Sequence, residues 1–381
     1  MNNQHRLLGL INLLEADQEL GPLTMHRPVA SVPFGGRYRI IDFVLSNMSG
    51  AGIQTVGIYT DDRERSIMDH IRAGQPWDMD RMSGGIFYFS HHALPERHRE
   101  ERGDLLNYYN NMDILEKSNC DYVAISGSNM VLNINLMEVL AQHLQASADV
   151  TVVYTNKMSN DPDYQGAYVL HTDEEDQVRG IGIHESPKRY MKDISRIKVS
   201  CEIYLMKTTF FQSLLENAVY DGNHRYLREM LHDPKGDFRM QGYEFTGYTA
   251  YISSIQNYYR ANMNLLNERH LMDLFYGSNL INTKIRNESP SHYGQTARVQ
   301  NSLIANGCHI EGEVINSILF RRVTVEAGAR IENCIIMQNG VIAQGAKLKY
   351  VITDKNVNVG KGEVFVGSEK TPHVIQKGAR V

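Results

Sequence analysis

The chain has 381 residues, 42% of them hydrophobic and 22% charged, with a formal net charge of −5. This is the composition of a globular protein with room for two domains at about 150 residues each. No block of Lys and Arg stands out and no apolar run reaches membrane-spanning length, which excludes an electrostatic grip on nucleic acid and a transmembrane role. The four cysteines, Cys120, Cys201, Cys308 and Cys334, form no C-x-x-C pair. That spacing speaks against a metal cluster or disulfide framework and for a reducing compartment. The apolar run after Met1-Asn2-Asn3-Gln4-His5-Arg6 is too short for a signal peptide, so the expected location is the cytoplasm.

In chain order, Leu7–Leu13 reads as a first buried strand, apolar on both faces. After a loop closed by Gly21-Pro22 comes Ser31-Val32-Pro33-Phe34-Gly35-Gly36-Arg37-Tyr38-Arg39-Ile40-Ile41-Asp42-Phe43-Val44-Leu45-Ser46-Asn47, a Gly-Gly turn running into helical spacing at Ile40, Ile41, Val44 and Leu45. Gln54–Thr60 reads as a strand, Asp62–Ile71 as a crossover helix and Asp104–Leu115 as a helix. Tyr122–Gly127 is a further strand, Leu136–Leu144 a helix and Val150–Tyr154 a strand. Strands alternating with helices predict a parallel, doubly wound α/β sheet with ligands at the carboxyl ends of its strands. Ile255–Phe275 reads as one long closing helix.

Beyond residue 296 the pattern changes. Ile304 and Ile310, Val325 and Ile331, and Ile342 and Leu348 are each six apart, and Val325, Ile342 and Val359 recur every seventeen positions with glycines between them. A six-residue apolar period at about eighteen residues per coil predicts a left-handed parallel β-helix of hexapeptide repeats, whose coils bury their faces only by stacking. The expected organisation is an α/β domain over residues 1–276, a polar linker over 277–296 and a β-helix over 297–381. An acyltransferase reading of the repeats would look to His309 for a catalytic base.

The Pro33–Asn47 run closely resembles the P-F-G-G-x-Y-R-I-I-D-F-x-L-S-N motif of ADP-glucose pyrophosphorylases, and the two-part architecture extends the resemblance over essentially the whole chain. The family condenses ATP with glucose-1-phosphate on a nucleotidyltransferase-like fold, and its chemical devices are altered here. The glycine-rich phosphate loop reads Asn12-Leu13-Leu14-Glu15-Ala16-Asp17-Gln18-Glu19-Leu20, with three carboxylates where phosphates would lie. The two metal-binding aspartates fall on Ser128, in Ser126-Gly127-Ser128-Asn129, and on Tyr251. The sugar-phosphate triplet reads Glu185-Ser186-Pro187 and the nucleobase run Arg102-Gly103-Asp104.

The resemblance therefore implies a degenerate active site with no catalytic residue, no metal and no cofactor, Mg²⁺ being confined to a catalytic partner. Glu185, Ser186 and Gly127 are the remnant of the substrate pocket, and Gly35, Gly36 and Asp42 are framework. This pattern is similar to the regulatory D-type subunit of Gram-positive bacteria. It implies a heterotetramer with a catalytic subunit, a homo-oligomer when alone, and a small anionic effector at Arg27, Arg37 and Arg39. The alternatives are a weak nucleotidyltransferase using Asp42, Asp113 and Glu185, and a sensor of sugar phosphate, phosphate or nucleotide.

Overall fold

The computed structural model describes residues 5–61, 63–90, 103–174, 177–184, 195–232 and 238–381. The chain divides into two compact units, one of residues 1–15, 43–251 and 277–282, the other of residues 16–42, 252–276 and 283–381. Among the described residues no helix is long and apolar enough to cross a membrane.

The first unit is built on a nine-stranded sheet. Its strands are β1 (Leu7–Asn12), β2 (Thr55–Thr60), β3 (Gly85–Ser90), β4 (Tyr122–Ser126), β5 (Val150–Met158), β6 (Tyr168–Thr172), β7 (Val178–Ile183), β8 (Arg196–Lys207) and β9 (Met240–Glu244). They lie in the order β3-β2-β1-β4-β8-β5-β9-β7-β6. The half formed by β3, β2, β1 and β4 is parallel. The expectation of a wholly parallel sheet is corrected by β8, which runs antiparallel to both β4 and β5. β1 and β4 are buried nearly throughout because helices cover both faces. The helix Leu136–Ala146, which packs on β5, β8 and β9, buries Leu136, Val139, Leu140 and His143 at helical spacing and is capped by Asn135, whose side chain accepts from the Met137 N–H at 3.0 Å. β3 escaped the sequence reading, although its Ile-Phe-Tyr-Phe run after two glycines carries a strand's composition.

The second unit holds the repeats as a three-sided parallel β-helix. Each side is a five-stranded parallel sheet, and the first side stacks Ile310, Val325, Ile342 and Val359 in register. The corners need left-handed backbone, which Gly and Asn adopt most easily. One corner column is Gly328, Gly345, Gly362 and Gly378; another is Asn301, Asn316, Asn333 and Tyr350. Beside the second column runs a polar ladder. The Ser317 N–H donates to Ser302 Oγ (3.1 Å), the Cys334 N–H to Ser317 Oγ (3.0 Å) and the Val351 N–H to Cys334 Sγ (3.4 Å). The first rung, His292–Tyr293, lies within the stretch read as linker.

The closing helix is two helices, Ile255–Met263 and Glu268–Phe275. Asn267 breaks it, because its backbone is extended and its side chain accepts from the Arg269 N–H at 3.0 Å, starting a new helix.

Candidate functional site

In the first unit the parallel strands deliver two loops to one end of the sheet. β1 ends at Asn12 and the chain runs on to Glu15; β4 ends at Ser126 and turns through Gly127, Ser128 and Asn129. Asn12 ties the first loop down, donating from Nδ2 to Asp104 Oδ2 (3.0 Å) and accepting from the Leu14 N–H (3.0 Å). Glu15 then turns its carboxylate into the second loop. It accepts from the Ser128 backbone N–H and from Ser128 Oγ at 3.2 Å.

A second carboxylate reaches the same loop from β8. Glu202 is buried and sits in a β-bulge between Ser200 and Ile203. Its φ is +53°, a left-handed angle that costs a side chain about 1 kcal/mol. The bulge aims the side chain inward. Asn129 Nδ2 donates to Glu202 Oε1 at 3.0 Å, and the Gly127 N–H donates to the Glu202 carbonyl at 3.0 Å. A Cβ at Gly127 would lie 3.2 Å from both Glu15 Oε1 and Glu202 Oε2, so the two carboxylates close on this glycine from either side.

Electrostatics follow from that crowding. Burial, then the Glu202 charge, pushes the Glu15 carboxyl from 4.5 to about 8 against the pull of its Ser128 hydrogen bonds. Burial also raises Glu202, opposed by the Asn129 bond and by Arg228. The pair therefore holds a proton at neutral pH. Asp104, fastened by the Leu227 N–H at 2.8 Å, is pushed by burial to about 6. Arg228 is the cation here, its guanidinium lying over the rings of Tyr226 (4.0 Å) and Tyr168 (4.6 Å).

Of the residues expected at this site, Gly127 and Ser128 meet Glu15 and Glu202. Tyr251 is buried on a short strand paired with Met130, and burial raises its phenol. Glu185, Ser186 and Arg102 lie outside the described residues. Asp113 pairs with Lys117 on an exposed helix face. Of the three carboxylates in the Asn12–Leu20 loop, Glu15 reaches Ser128, whereas Asp17 and Glu19 belong to the second unit. Sequence reasoning missed the roles of Glu202 and Arg228; a carboxylate in the middle of the apolar run Val199–Met206 was the available signal for the first.

The second unit contains the Ser31–Asp42 part of the Gly-Gly motif. Gly35 and Gly36, at φ +59° and +81°, turn between Pro33–Phe34 and Tyr38–Arg39. The Gly35 N–H donates to Asn262 Oδ1 (3.0 Å), and Tyr258 OH donates to the Pro33 carbonyl (2.6 Å). Asp42 accepts from the Arg39 N–H at 2.9 Å, closing the first turn of the Ile40–Gly50 helix. Arg27 is buried, donating from Nε to the Leu23 carbonyl and from Nη2 to Asp354 Oδ2, both at 2.8 Å. Beside them Lys355 is driven down to about 6, first by burial and then by the charges of Arg39 and Arg27. Arg37 points elsewhere, exposed and 5.4 Å over the Tyr38 ring. The arginine trio thus divides, with Arg27 and Arg39 gathered on Lys355 and Arg37 apart from them.

A nucleotidyl transferase family profile matches residues 18–266, and a GlmU-like C-terminal hexapeptide profile matches residues 286–373. The chain is 35% identical to the glycogen biosynthesis protein GlgD of Bacillus subtilis, over 99% of this chain and 97% of that protein. It is 30% identical to the glucose-1-phosphate adenylyltransferase of Acetivibrio thermocellus, over 95% of this chain and 85% of the relative. The chain belongs to the glucose-1-phosphate adenylyltransferase family. A further adenylyltransferase, from Bacillus cytotoxicus, is 29% identical over 93% of both chains. Within this nucleotidyltransferase family, the expected α/β domain followed by hexapeptide coils is the architecture found.

Proposed function

We propose that this chain is a regulatory, non-catalytic subunit that assembles with a catalytic glucose-1-phosphate adenylyltransferase and raises its activity in glycogen synthesis, in the cytoplasm. The observation that carries this reading is Glu15. An adenylyltransferase must place a triphosphate near this loop and neutralise its charge with hard oxygen ligands on Mg²⁺. Here the Ser128 N–H and hydroxyl are already taken by Glu15, and Glu202 adds a second acid. Serine and tyrosine at positions 128 and 251 supply neutral oxygens where the metal needs carboxylates. The residues present do not fit the metal, and among the described residues no set of three His, Cys, Asp or Glu is placed to hold one. The hexapeptide coils and the intact motif are what a partner subunit would find unchanged.

The test is turnover by the purified chain alone. Pyrophosphate release from ATP and glucose-1-phosphate should stay at background with Mg²⁺ present. Sustained release would favour the weak-nucleotidyltransferase reading and remove this one.

A second reading, compatible with the first, is favoured by Lys355. A lysine held neutral between Arg27 and Arg39 is charged more easily once an anion binds beside it, so the cluster suits a small anionic effector. Binding of a sugar phosphate there should take up a proton and tighten as pH falls from about 8 to about 6. Calorimetry in buffers of different ionisation enthalpy checks it, and pH-independent binding would count against the cluster.

A further inference from the structure

A groove of about 570 Å³ opens in the first unit where the sheet parts, and neither Glu15 nor Ser128 lines it. β9 pairs with β5 from Met240 to Glu244 but meets β7 only at Val178 and Met240, so the sheet separates beyond that pair. The end of the Leu136–Ala146 helix lies alongside. Gln142 Nε2 donates to the Gly242 carbonyl at 3.3 Å and fixes the helix to β9. Tyr154 of β5 is the buried wall, with Lys198 Nζ 5.3 Å over its ring. A Cβ at Gly242 would lie 2.7 Å from Tyr154 Cε1, so the ring lies against β9 only because that side chain is missing.

The volume falls within the roughly 300–1,000 Å³ of small-molecule sites, but the lining is too polar for an apolar ligand. Gln145, Gln177 and Gln241 line it, and their amides hydrogen-bond to no other described residue; nor does the Arg239 guanidinium. Each amide offers two N–H donors and one carbonyl acceptor. Among the described residues of the lining there is no Asp or Glu. Lys198 and Arg239 without an acid would by themselves suit an anion. The groove, however, takes Gln142 and Gln145 from the last turn of the helix, where the carbonyls and the macrodipole present negative charge. An anion would also use only the donors of the three amides. A ring bearing hydroxyls, each of which both donates and accepts, uses donors and acceptors alike.

We propose that this groove binds a neutral saccharide chain, an α-1,4-linked glucan, with Gln145, Gln177, Gln241 and Arg239 hydrogen-bonding its hydroxyls. The saccharide class follows from the lining; the choice of an α-glucan rests on the glycogen-synthesis reading above. A glucan held here would anchor the chain at the polymer whose precursor the catalytic partner makes.

The experiment is calorimetric titration of the full chain with maltotetraose, cellotetraose and inorganic phosphate at low and high salt, comparing the wild type with Gln145→Ala, Gln145→Glu and Gln241→Ala. The site predicts maltotetraose binding that persists at high salt and that each alanine variant weakens by about threefold to tenfold. Gln145→Glu should retain it, because a carboxylate accepts from sugar hydroxyls. No maltotetraose binding by the wild type, or binding that both alanine variants leave unchanged, overturns the site. Phosphate binding that is lost at high salt and in Gln145→Glu, without maltotetraose binding, assigns the groove to an anion and also overturns it. Cellotetraose bound as tightly as maltotetraose overturns the α-glucan assignment. Gln145 is exposed, so its two variants decide alone if Gln241→Ala does not fold. The titration uses neither ATP nor a partner, so its failure leaves the turnover test of the subunit reading untouched.

Discussion

The strand-end site of the first unit and the β-helix of the second differ in what holds them together. In the β-helix the repeating contacts join a residue to its counterpart one coil away, as in the Ser302–Ser317–Cys334–Val351 ladder with separations of 15, 17 and 17. At the strand ends the deciding contact joins Glu15 to Ser128, 113 positions apart. The β-helix repeats a pattern, so an individual coil is redundant with its neighbours. The site depends on single side chains, so a change at one residue such as Glu15 alters what it can do. Charge follows the same division: protonated acids crowd the strand ends, whereas the second unit gathers cations at Lys355 and at Arg321.

The sharpest way to break the comparison is at the buried ion pair. Arg27→Ala leaves Asp354 buried without its partner and should cost about 3–5 kcal/mol in chemical denaturation, with much of the loss recovered by adding Asp354→Asn. A change near zero would mean that the pair is incidental. Next is the β-helix core. Ile331→Ala, at a fully buried position stacked between Val314 and Leu348, should cost about 2–4 kcal/mol. In the first unit the sign reverses. Glu202→Gly removes a buried acid and a left-handed φ from a side chain, and should raise stability by about 1 kcal/mol. A destabilised Glu202→Gly chain would show that the Asn129 bond outweighs both costs.

A further test is the dependence on pH. Glu15 binds its proton more tightly in the folded chain, at about 8, than at its ordinary 4.5. Between those values the folded state carries more protons than the unfolded one, so stability falls as pH rises through the window. Asp104, raised to about 6, acts in the same direction. The melting temperature should drop by roughly 2–4 °C per kcal/mol lost from pH 5 to 8, and Glu15→Gln should flatten that slope. An unchanged slope in the variant would place the titration elsewhere.

The fold was largely legible because packing leaves periodic traces. The seventeen-residue recurrence of Val325, Ile342 and Val359 is the stacking of one β-helix face, and the apolar runs of β1 and β4 are the buried centre of the sheet. The direction of β8 left no such trace, since an apolar strand reads alike in either orientation. The break at Asn267 was hidden because apolar positions continue on both sides of it. At the site, the resemblance to the family is what pointed to Ser128 and Tyr251 as standing at its metal positions. It could not show that Glu15 turns into the Ser128 loop, that Glu202 joins it through a bulge, or that Arg37 parts from Arg27 and Arg39. Each of those depends on where the chain returns in space.

The central claim is that a chain whose strand-end site is filled by its own carboxylates acts through a partner. Co-expression with a catalytic glucose-1-phosphate adenylyltransferase, followed by measurement of complex mass and of ADP-glucose synthesis with and without this chain, tests it most directly. The account predicts a hetero-oligomer whose activity exceeds that of the catalytic subunit alone and is unchanged in rank when Ser128 is replaced by alanine. Separate elution of the two chains with identical catalytic rates would contradict it.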